Sequence, residues 1–453
     1  MKRFLALVIS MLILCLSLAS CGEKQEVTEP SSTEPTVTTT EPTTEAPTNP
    51  DKDALTDITV TPTEESPLFS TSYEGNGYFA MDDKVYYCNA FGLTVIDEKT
   101  KQETKISDKC VSAAISDGKT LLYSERLEDK TVKANQAFGN YDESEEPHEV
   151  KAYVYDVILY DLATGEKEKI FTTNMNSFRL YYYDDAQIYY NDSPEKFKGY
   201  WNNFDSYGDV YIYRYDRKTG ERTQLMQDIF SGFVFTDQTP YFVNCRYDSN
   251  VKTEIYNALT HKTIALNSNY GYIWTYNGTM YLYKDTDNTD ETTKRTLYAV
   301  DLKTGESKEI YSFTQEEDDQ YYTNVSFSRH VLISVDKDIE TGEKTITYGA
   351  DSITLYDMLT GKQAELSYYI YGDITETDGV LCAYDMTDDP KPVYWNDNME
   401  PVYSDAFEQE EIEYPEDEEG SVDYMSDYGY LASHYEDLEN GEGTVIYKYV
   451  PTK

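Results

Sequence analysis

From about residue 70 onward the chain is written in short runs in which Tyr, Val, Ile and Leu alternate with polar residues. Tight polar turns interrupt these runs at Asp82-Asp83, Asp117-Gly118, Asp184-Asp185, Asp237-Gln238, Asn277-Gly278, Ser328-Arg329, Asp378-Gly379 and Asp427-Tyr428-Gly429. A period of two around such a turn predicts a β-hairpin. A second hairpin follows each of these, with a corner that reads Asp-x-x-Thr-Gly. The corner is complete at Asp161–Gly165, Asp216–Gly220, Asp301–Gly305 and Asp357–Gly361, and degraded at Asp97–Lys101 and Asn257–His261. Its Asp or Asn accepts from the backbone N–H two residues on, and Gly takes the positive φ that reverses the chain. Residues that recur at every corner build the repeat, so these aspartates are architecture. No long segment places apolar residues at helical spacing.

Two hairpins per unit give four antiparallel strands, lettered A to D from here on, at the ~40–50-residue period of propeller blades. The expected fold is all-β: a β-propeller of four-stranded antiparallel blades, eight of them, with seven as the alternative. With these motifs the chain resembles β-propellers of the quinoprotein-like type and of DUF5050-like lipoproteins. Quinoprotein blades carry a docking Trp after the corner Gly, where this sequence has Ile170, Leu225, Ile310 and Leu366. That departure speaks against a quinone cofactor. The eighth unit stops after its third strand, at 444–450. An unpaired edge is a liability, so residues 56–60 or 68–71 are expected to supply the missing outer strand.

The first residues read as an address. Lys2 and Arg3 precede an apolar run over 4–18 that is shorter than the ~20 residues of a spanning helix. The run ends in Leu18-Ala19-Ser20-Cys21-Gly22, which resembles the lipobox of bacterial lipoproteins. In that family the Cys thiol receives a diacylglyceryl group and cleavage leaves it as the acylated N-terminus. The resemblance implies that residues 1–20 are a signal peptide, Cys21 the lipidation site, and Leu18, Ala19 and Ser20 the peptidase recognition residues. The protein is then held outside the cytoplasmic membrane by acyl chains. Residues 21–67 repeat Thr-Glu-Pro with nothing apolar to bury, the composition of a disordered, extended tether. Residues 68–453 form the propeller domain.

Composition narrows the partners. Among 453 residues, 84 are acidic and 38 basic, a formal net charge of -46. Such a surface repels phosphate backbones and anionic headgroups, which excludes nucleic acid and leaves the lipid as the only membrane contact. Disordered acidic chains are poor in aromatics; this one has 46 Tyr, most of them suited to strands.

Alternation of strands puts the A–B and C–D turns on one face of a ring and the B–C and D–A connections on the other. The long segments, 126–149, 192–208, 284–295, 336–350, 311–320 and 404–422, all fall on this second face. Insertions gathered on one face mark a binding face. Its candidate residues are Tyr200 and Trp201, an aromatic pair outside any strand pattern, with Asp285, Asp287, Asp290, Glu316, Glu317, Asp318 and Asp319. Asp336, Asp338 and Glu340 alternate as weak Ca²⁺ ligands, although the Gly that follows is one place too late for an EF-hand. No other cofactor is indicated. Cys88, Cys110, Cys245 and Cys382 have neither metal spacing nor disulfide density, leaving a Cys88–Cys110 bridge open. The inner strands offer Tyr78, Ala113, Gly232, Tyr272, Val325, Tyr369 and Tyr424, with no acidic pair for glycoside chemistry. No catalytic residue is assigned. The reading is a monomeric surface lipoprotein that binds an envelope protein, a cationic peptide or a cell-wall glycan. A carbohydrate-binding or carbohydrate-active propeller, glycosidase- or lyase-type, is the alternative.

Overall fold

The computed structural model describes residues 58–452, except 63, 72–76, 128–130, 135–147, 152–153, 174–178, 193–209, 228–230, 246–251, 288–291, 317–323, 327, 338–343, 346–351, 368–373, 386–390, 404–420 and 438–442. Eight antiparallel sheets follow one another along the chain, over 77–107, 111–172, 180–227, 231–265, 271–316, 324–367, 375–403 and 421–451. The first seven each run A-B-C-D, and the eighth has three strands, Ser421–Ser426, Gly429–Asp437 and Gly443–Pro451. Small accessory pieces join them: a ribbon of Thr131–Ala134 with His148–Lys151, and Lys344–Thr345 against strand B of blade 6. This is the eight-bladed β-propeller expected from the repeat.

All eight predicted A–B turns are present. Three have positive φ at both central residues, namely Asp237-Gln238, Asn277-Gly278 and Asp378-Gly379, the geometry that matches strand twist. At the corners, Asp161, Asp216 and Asp301 each accept the N–H of the residues two and three on, at 2.7–3.0 Å. In the degraded corners Lys101 and His261 stand in the left-handed conformation that Gly takes elsewhere. The positions where quinoprotein blades hold Trp are β-bulge residues in three blades. The ladder shifts at Ile170, Leu225 and Ile310, so that each falls between two register pairs.

The core is a ring of separate clusters, each shared by two neighbouring blades. Blades 1 and 2 share Phe79, Leu93, Val111 and Tyr123. Others join blades 2 and 3, 3 and 4, 4 and 5, 5 and 6, and 6 and 7. A further cluster returns to the start, packing Val85, Tyr87 and Ile96 of blade 1 on Leu431 and Tyr449 of blade 8. Flat sheets packed face to face at this spacing bury aromatic rings efficiently, which is where many of the tyrosines go. Cys88 and Cys110 are both buried and neither is in a disulfide, so the bridge left open by the sequence is not made. Burial pushes the Cys88 thiol up to about 12.

Closure differs from the expectation. Among the described residues, neither 58–60 nor 68–71 becomes a fourth strand of blade 8. Phe69 and Ser70 pair instead with Ser116 and Ile115 on strand A of blade 2, the innermost strand of that blade. The blade 8–blade 1 seam is held by side chains. Glu98, buried in the degraded corner of blade 1, accepts from Ser426 Oγ and from the hydroxyls of Tyr424 and Tyr449. Lys101 Nζ donates to Tyr428 O and lies 5.4 and 5.6 Å from the rings of Tyr428 and Tyr449. Lys101, which stands in the Gly place and degrades this corner, is thus one of the two residues that clamp the ring, with Glu98 at a variable position of the same corner.

Two predictions follow from the seam and the edge beside it. Glu98→Ala leaves three hydroxyls without their shared acceptor and should lower unfolding stability by about 1–3 kcal/mol, read by denaturant melts. In strand Gly443–Pro451, Thr452 N–H bonds Tyr428 O, so by alternation even-numbered N–H groups face strand B and odd-numbered ones face outward. Val445→Pro should therefore be tolerated and Ile446→Pro should cost about 3 kcal/mol or more; equal melting shifts would contradict this register.

Candidate functional site

Three places carry chemistry: the loop face, the turn face crossed by the N-terminal segment, and the seam. On the loop face, Asp285 has its side chain described, and it is not in a loop. Strands Thr279–Asp287, Thr292–Asp301 and Ser307–Glu316 continue past the body of blade 5. Residues 284–287, 292–295 and 311–316, read above as connecting segments, are strand. The physical reason is a cross-strand pair. Asp285 and Arg295 are register partners, and the guanidinium Nε and Nη2 each donate to a different carboxylate oxygen at 2.7 Å. Arg295 also lies 4.4 Å over the Tyr283 ring. Asp287, Glu316 and Asp336 likewise fall on strands, facing Thr293, Thr292 and Thr345 in register. Tyr200, Trp201, Asp290, Glu317, Asp318, Asp319, Asp338 and Glu340 lie outside the described residues. Among the described residues no group of three or more His, Cys, Asp or Glu is placed to hold a metal ion. Among them, too, no helix is long and apolar enough to cross a membrane.

On the turn face the N-terminal segment is bonded to the ring from Thr59 on. Thr59 donates its N–H (3.1 Å) and its hydroxyl to Asp397, and its carbonyl accepts from Arg329 Nη1 at 2.8 Å. Thr61 N–H donates to Asp378 O at 2.6 Å. Gly379 must be glycine for this approach: its φ is +72°, and a Cβ there would stand 1.7 Å from Thr61 Oγ1. The segment then meets blade 4, where Glu64 Oε2 accepts from Asp237 N–H at 3.0 Å. It reaches blade 2 at Phe69, and Thr71 N–H donates to Ala114 O at 2.9 Å. Strand A exposes a row of unpaired backbone groups to the centre of the ring, and this segment covers part of one such edge.

The anchor of this strap is a buried polar network. Arg329 is 3% exposed and makes two bonds to Asp357, which is fully buried, at 2.7 and 3.0 Å, and one to Asp397 at 3.0 Å. Burial alone would raise the Asp357 carboxyl; the Arg329 bonds outweigh it and hold Asp357 below the usual carboxylate range. For Asp397, burial is likewise outweighed by the bonds from Thr59 and Arg329. Beside them Glu376, on strand A of blade 7, accepts the N–H groups of Ser328, Arg329 and His330, and its Oε2 lies 2.7 Å from His330 Nδ1. Its carboxyl is also lowered, because bonds from His330, Ser328 and Arg329 overcome burial.

The seam holds a carboxylate that reading by alternation missed. Asp423 sits on strand A of blade 8, where the ladder slips between Val422 and Tyr424. A bulge turns two successive residues toward one side, and Asp423 here keeps company with Tyr78 of blade 1 and Tyr447 of its own blade. Tyr78 Oη donates to the Asp423 carbonyl. Burial raises the Asp423 carboxyl, and its charge adds to burial in raising the hydroxyl of Tyr78. Period-two reasoning puts Asp423 on the face opposite Tyr424; only the extra residue in the strand brings it round, and the sequence carries no mark of that. Glu376 and Asp423 are the carboxylates that the inner strands of blades 7 and 8 do hold. Glu376 turns to blade 6 and Asp423 to blade 1, so they do not converge. Tyr78, Ala113, Gly232, Tyr272 and Tyr424 lie on inner strands as expected, with Tyr272 46% exposed near the loop face. Tyr369 is outside the described residues, and the inner strand of blade 7 is Thr375–Thr377.

No family model matches the chain, and no curated protein matches it. Solved structures do. An oligogalacturonate lyase in complex with manganese is 13% identical over 72% of this chain and 90% of its own, with a TM-score of 0.33. The β-propeller domain of the Trilobed protease from Pyrococcus furiosus, described as having an open velcro topology, is 12% identical over 74% of this chain and 96% of its own, at 0.29. A prolyl endopeptidase is 10% identical over 87% of this chain and 54% of its own, at 0.33. Likenesses this distant transfer no chemistry, and the architecture stands on the sheet order above.

The strap anchor yields a prediction. Arg329→Met strands Asp357 without its partner and should cost about 3–5 kcal/mol, with faster amide exchange at Thr59 and Thr61. Unchanged exchange there would show that Arg329 does not hold the strap. Asp357, Asp397 and Glu376 all have folded pKa values below their unfolded ones. Their contribution is therefore complete above the ordinary carboxylate range near pH 4 and lost as pH falls through the lowered values.

Proposed function

We propose that the chain is a lipid-anchored extracytoplasmic binding module, tethered through Cys21, whose propeller presents its loop face to a basic partner. The observation that carries the reading is the course of the strap. The described chain is bonded at the turn-face rim from Thr59, beside Asp397, crosses blades 7 and 4 on that face, and turns along strand A of blade 2 at Phe69. A membrane attachment upstream of Ile58 pulls on the turn face. The loop face, with the extended strands of blade 5 and exposed Tyr272 and Tyr435, is then the side turned away from the bilayer. Local charge agrees in sign: the net charge of -46 draws cationic partners and speeds their encounter.

Metabolic labelling with a palmitate analogue should mark the wild-type chain and not Cys21→Ala; label retained by that variant removes the anchor. Crosslinking on intact cells should capture a partner whose yield falls steeply between about 50 and 500 mM salt, since surface attraction is screened over roughly 10 Å at 0.1 M. Salt-tolerant capture that Trp201→Ala abolishes would replace the basic partner with a glycan.

A further inference from the structure

We propose that the blade 8–blade 1 seam is a seat for an alkylammonium group, the terminus of a lysine side chain on the partner, held by Asp423 between tyrosine rings. This deepens the reading above by naming the chemical group that the acidic platform recognises, and it rests on that reading.

The starting point is an unanswered charge. Asp423 Oδ2 is buried and has no hydrogen-bond partner in the structure. Among the described residues no Lys, Arg or His bonds this carboxylate, although elsewhere in the ring largely buried carboxylates find one: Asp156 has Lys169, Asp192 has Arg222, and Asp285 has Arg295. A buried polar atom without a partner is costly, and in folded proteins it commonly marks a place for a bound group. The groups that face Asp423 are Ser433 on strand B of its own blade, Tyr447 on strand C and Tyr78 across the seam. None of them is a cation.

The walls determine which cation fits. Tyr78 lies 5.9 Å from Tyr424 and 6.3 Å from Tyr447, centroid to centroid, and Tyr87 lies 6.0 Å from Tyr447. The planes are inclined at 59°, 69° and 59°. Inclined rings present faces as well as edges to the space they border, and aromatic faces attract organic cations within about 6 Å. Ca²⁺ needs six to eight oxygens and Zn²⁺ four ligands, and one carboxylate flanked by rings supplies too few. A guanidinium forks onto two carboxylate oxygens, whereas an ammonium is a point charge that needs one. With Ser433 already bonded to the carboxyl and Oδ2 left without a partner, one point of contact is open, and the ammonium is the better match. Clamp and seat adjoin through Tyr424, whose hydroxyl bonds Glu98: Glu98 and Lys101 close the turn-face end of the seam, and Asp423 lies toward its loop-face end.

The test uses the full chain with n-butylammonium chloride as the probe and equal concentrations of NaCl as the reference, read by thermal unfolding. Wild type should gain several degrees over the salt reference at high millimolar probe, and Asp423→Asn, which keeps the shape and removes the charge, should gain none. n-Butanol should reproduce no part of the gain. A wild-type chain indifferent to the amine, or an Asp423→Asn chain that gains as much, overturns the seat. Neither result touches the salt dependence of surface capture, so a failed seat and a failed platform are read in different experiments.

Discussion

Closing a ring of sheets without a shared strand is the constraint on which the rest of this structure depends. Seven interfaces are built by chain neighbours, whose proximity the backbone enforces. The eighth must bring together segments more than 300 positions apart, as Glu98 and Tyr449 are, against the loop entropy of everything between them. Two devices meet that demand. One is the seam itself, where a buried carboxylate and a lysine from a misspelt corner grip blade 8. The other is the strap, a brace inside the ring that ties blade 7 to blade 4 and blade 2. Clusters of aromatic and aliphatic side chains then pack each blade on the next from blade 1 to blade 7, and blade 8 on blade 1.

What could be read from the residues was what is local. Turns and corners were legible because an Asp two residues from its donor, or a Gly at positive φ, is a short-range requirement that leaves a short-range mark. Blade number followed from counting them. The strap, the clamp and Asp423 were not legible, for three different reasons. Thr59 and Thr61 sit in a stretch whose composition resembles a tether, and only contact with Arg329 and Asp378 distinguishes them. Lys101 looked like decay of the repeat and Glu98 like one more variable corner residue, because their partners lie at the far end of the chain. Asp423 depends on a ladder slip of one residue, which reverses the side that alternation assigns. Asp285 went wrong the other way: polar composition suggested a loop, while a bidentate bond to Arg295 sustains a strand.

The acidity of the chain is likewise more than one quantity. Carboxylates at the corners are bound by backbone N–H groups and drop below their usual range, as at Asp161 and Asp216, so they cap turns and attract little. Those around Arg329 are neutralised by it. Asp423 is raised by burial, with Ser433 bonded to it and no cation bonded to it among the described residues. A surface potential calculated from the net charge alone would treat these as equals, though their availability to a partner differs widely.

The strap also constrains how the ring can be assembled. It enters on the turn face at Phe69, and blade 1 begins on the opposite face at Gly77. The polypeptide therefore passes through the middle of its own propeller. A chain whose leading end is already fastened cannot be threaded through a finished annulus. Blade 8 must swing in from the side and shut like a gate around a rod already in place. A strand shared between the first and last blades would weave that gate into the wall. The side-chain latch at Glu98 and Lys101 leaves it hinged until the final moment, so the strap over 59–71 is the axle around which the last blade closes.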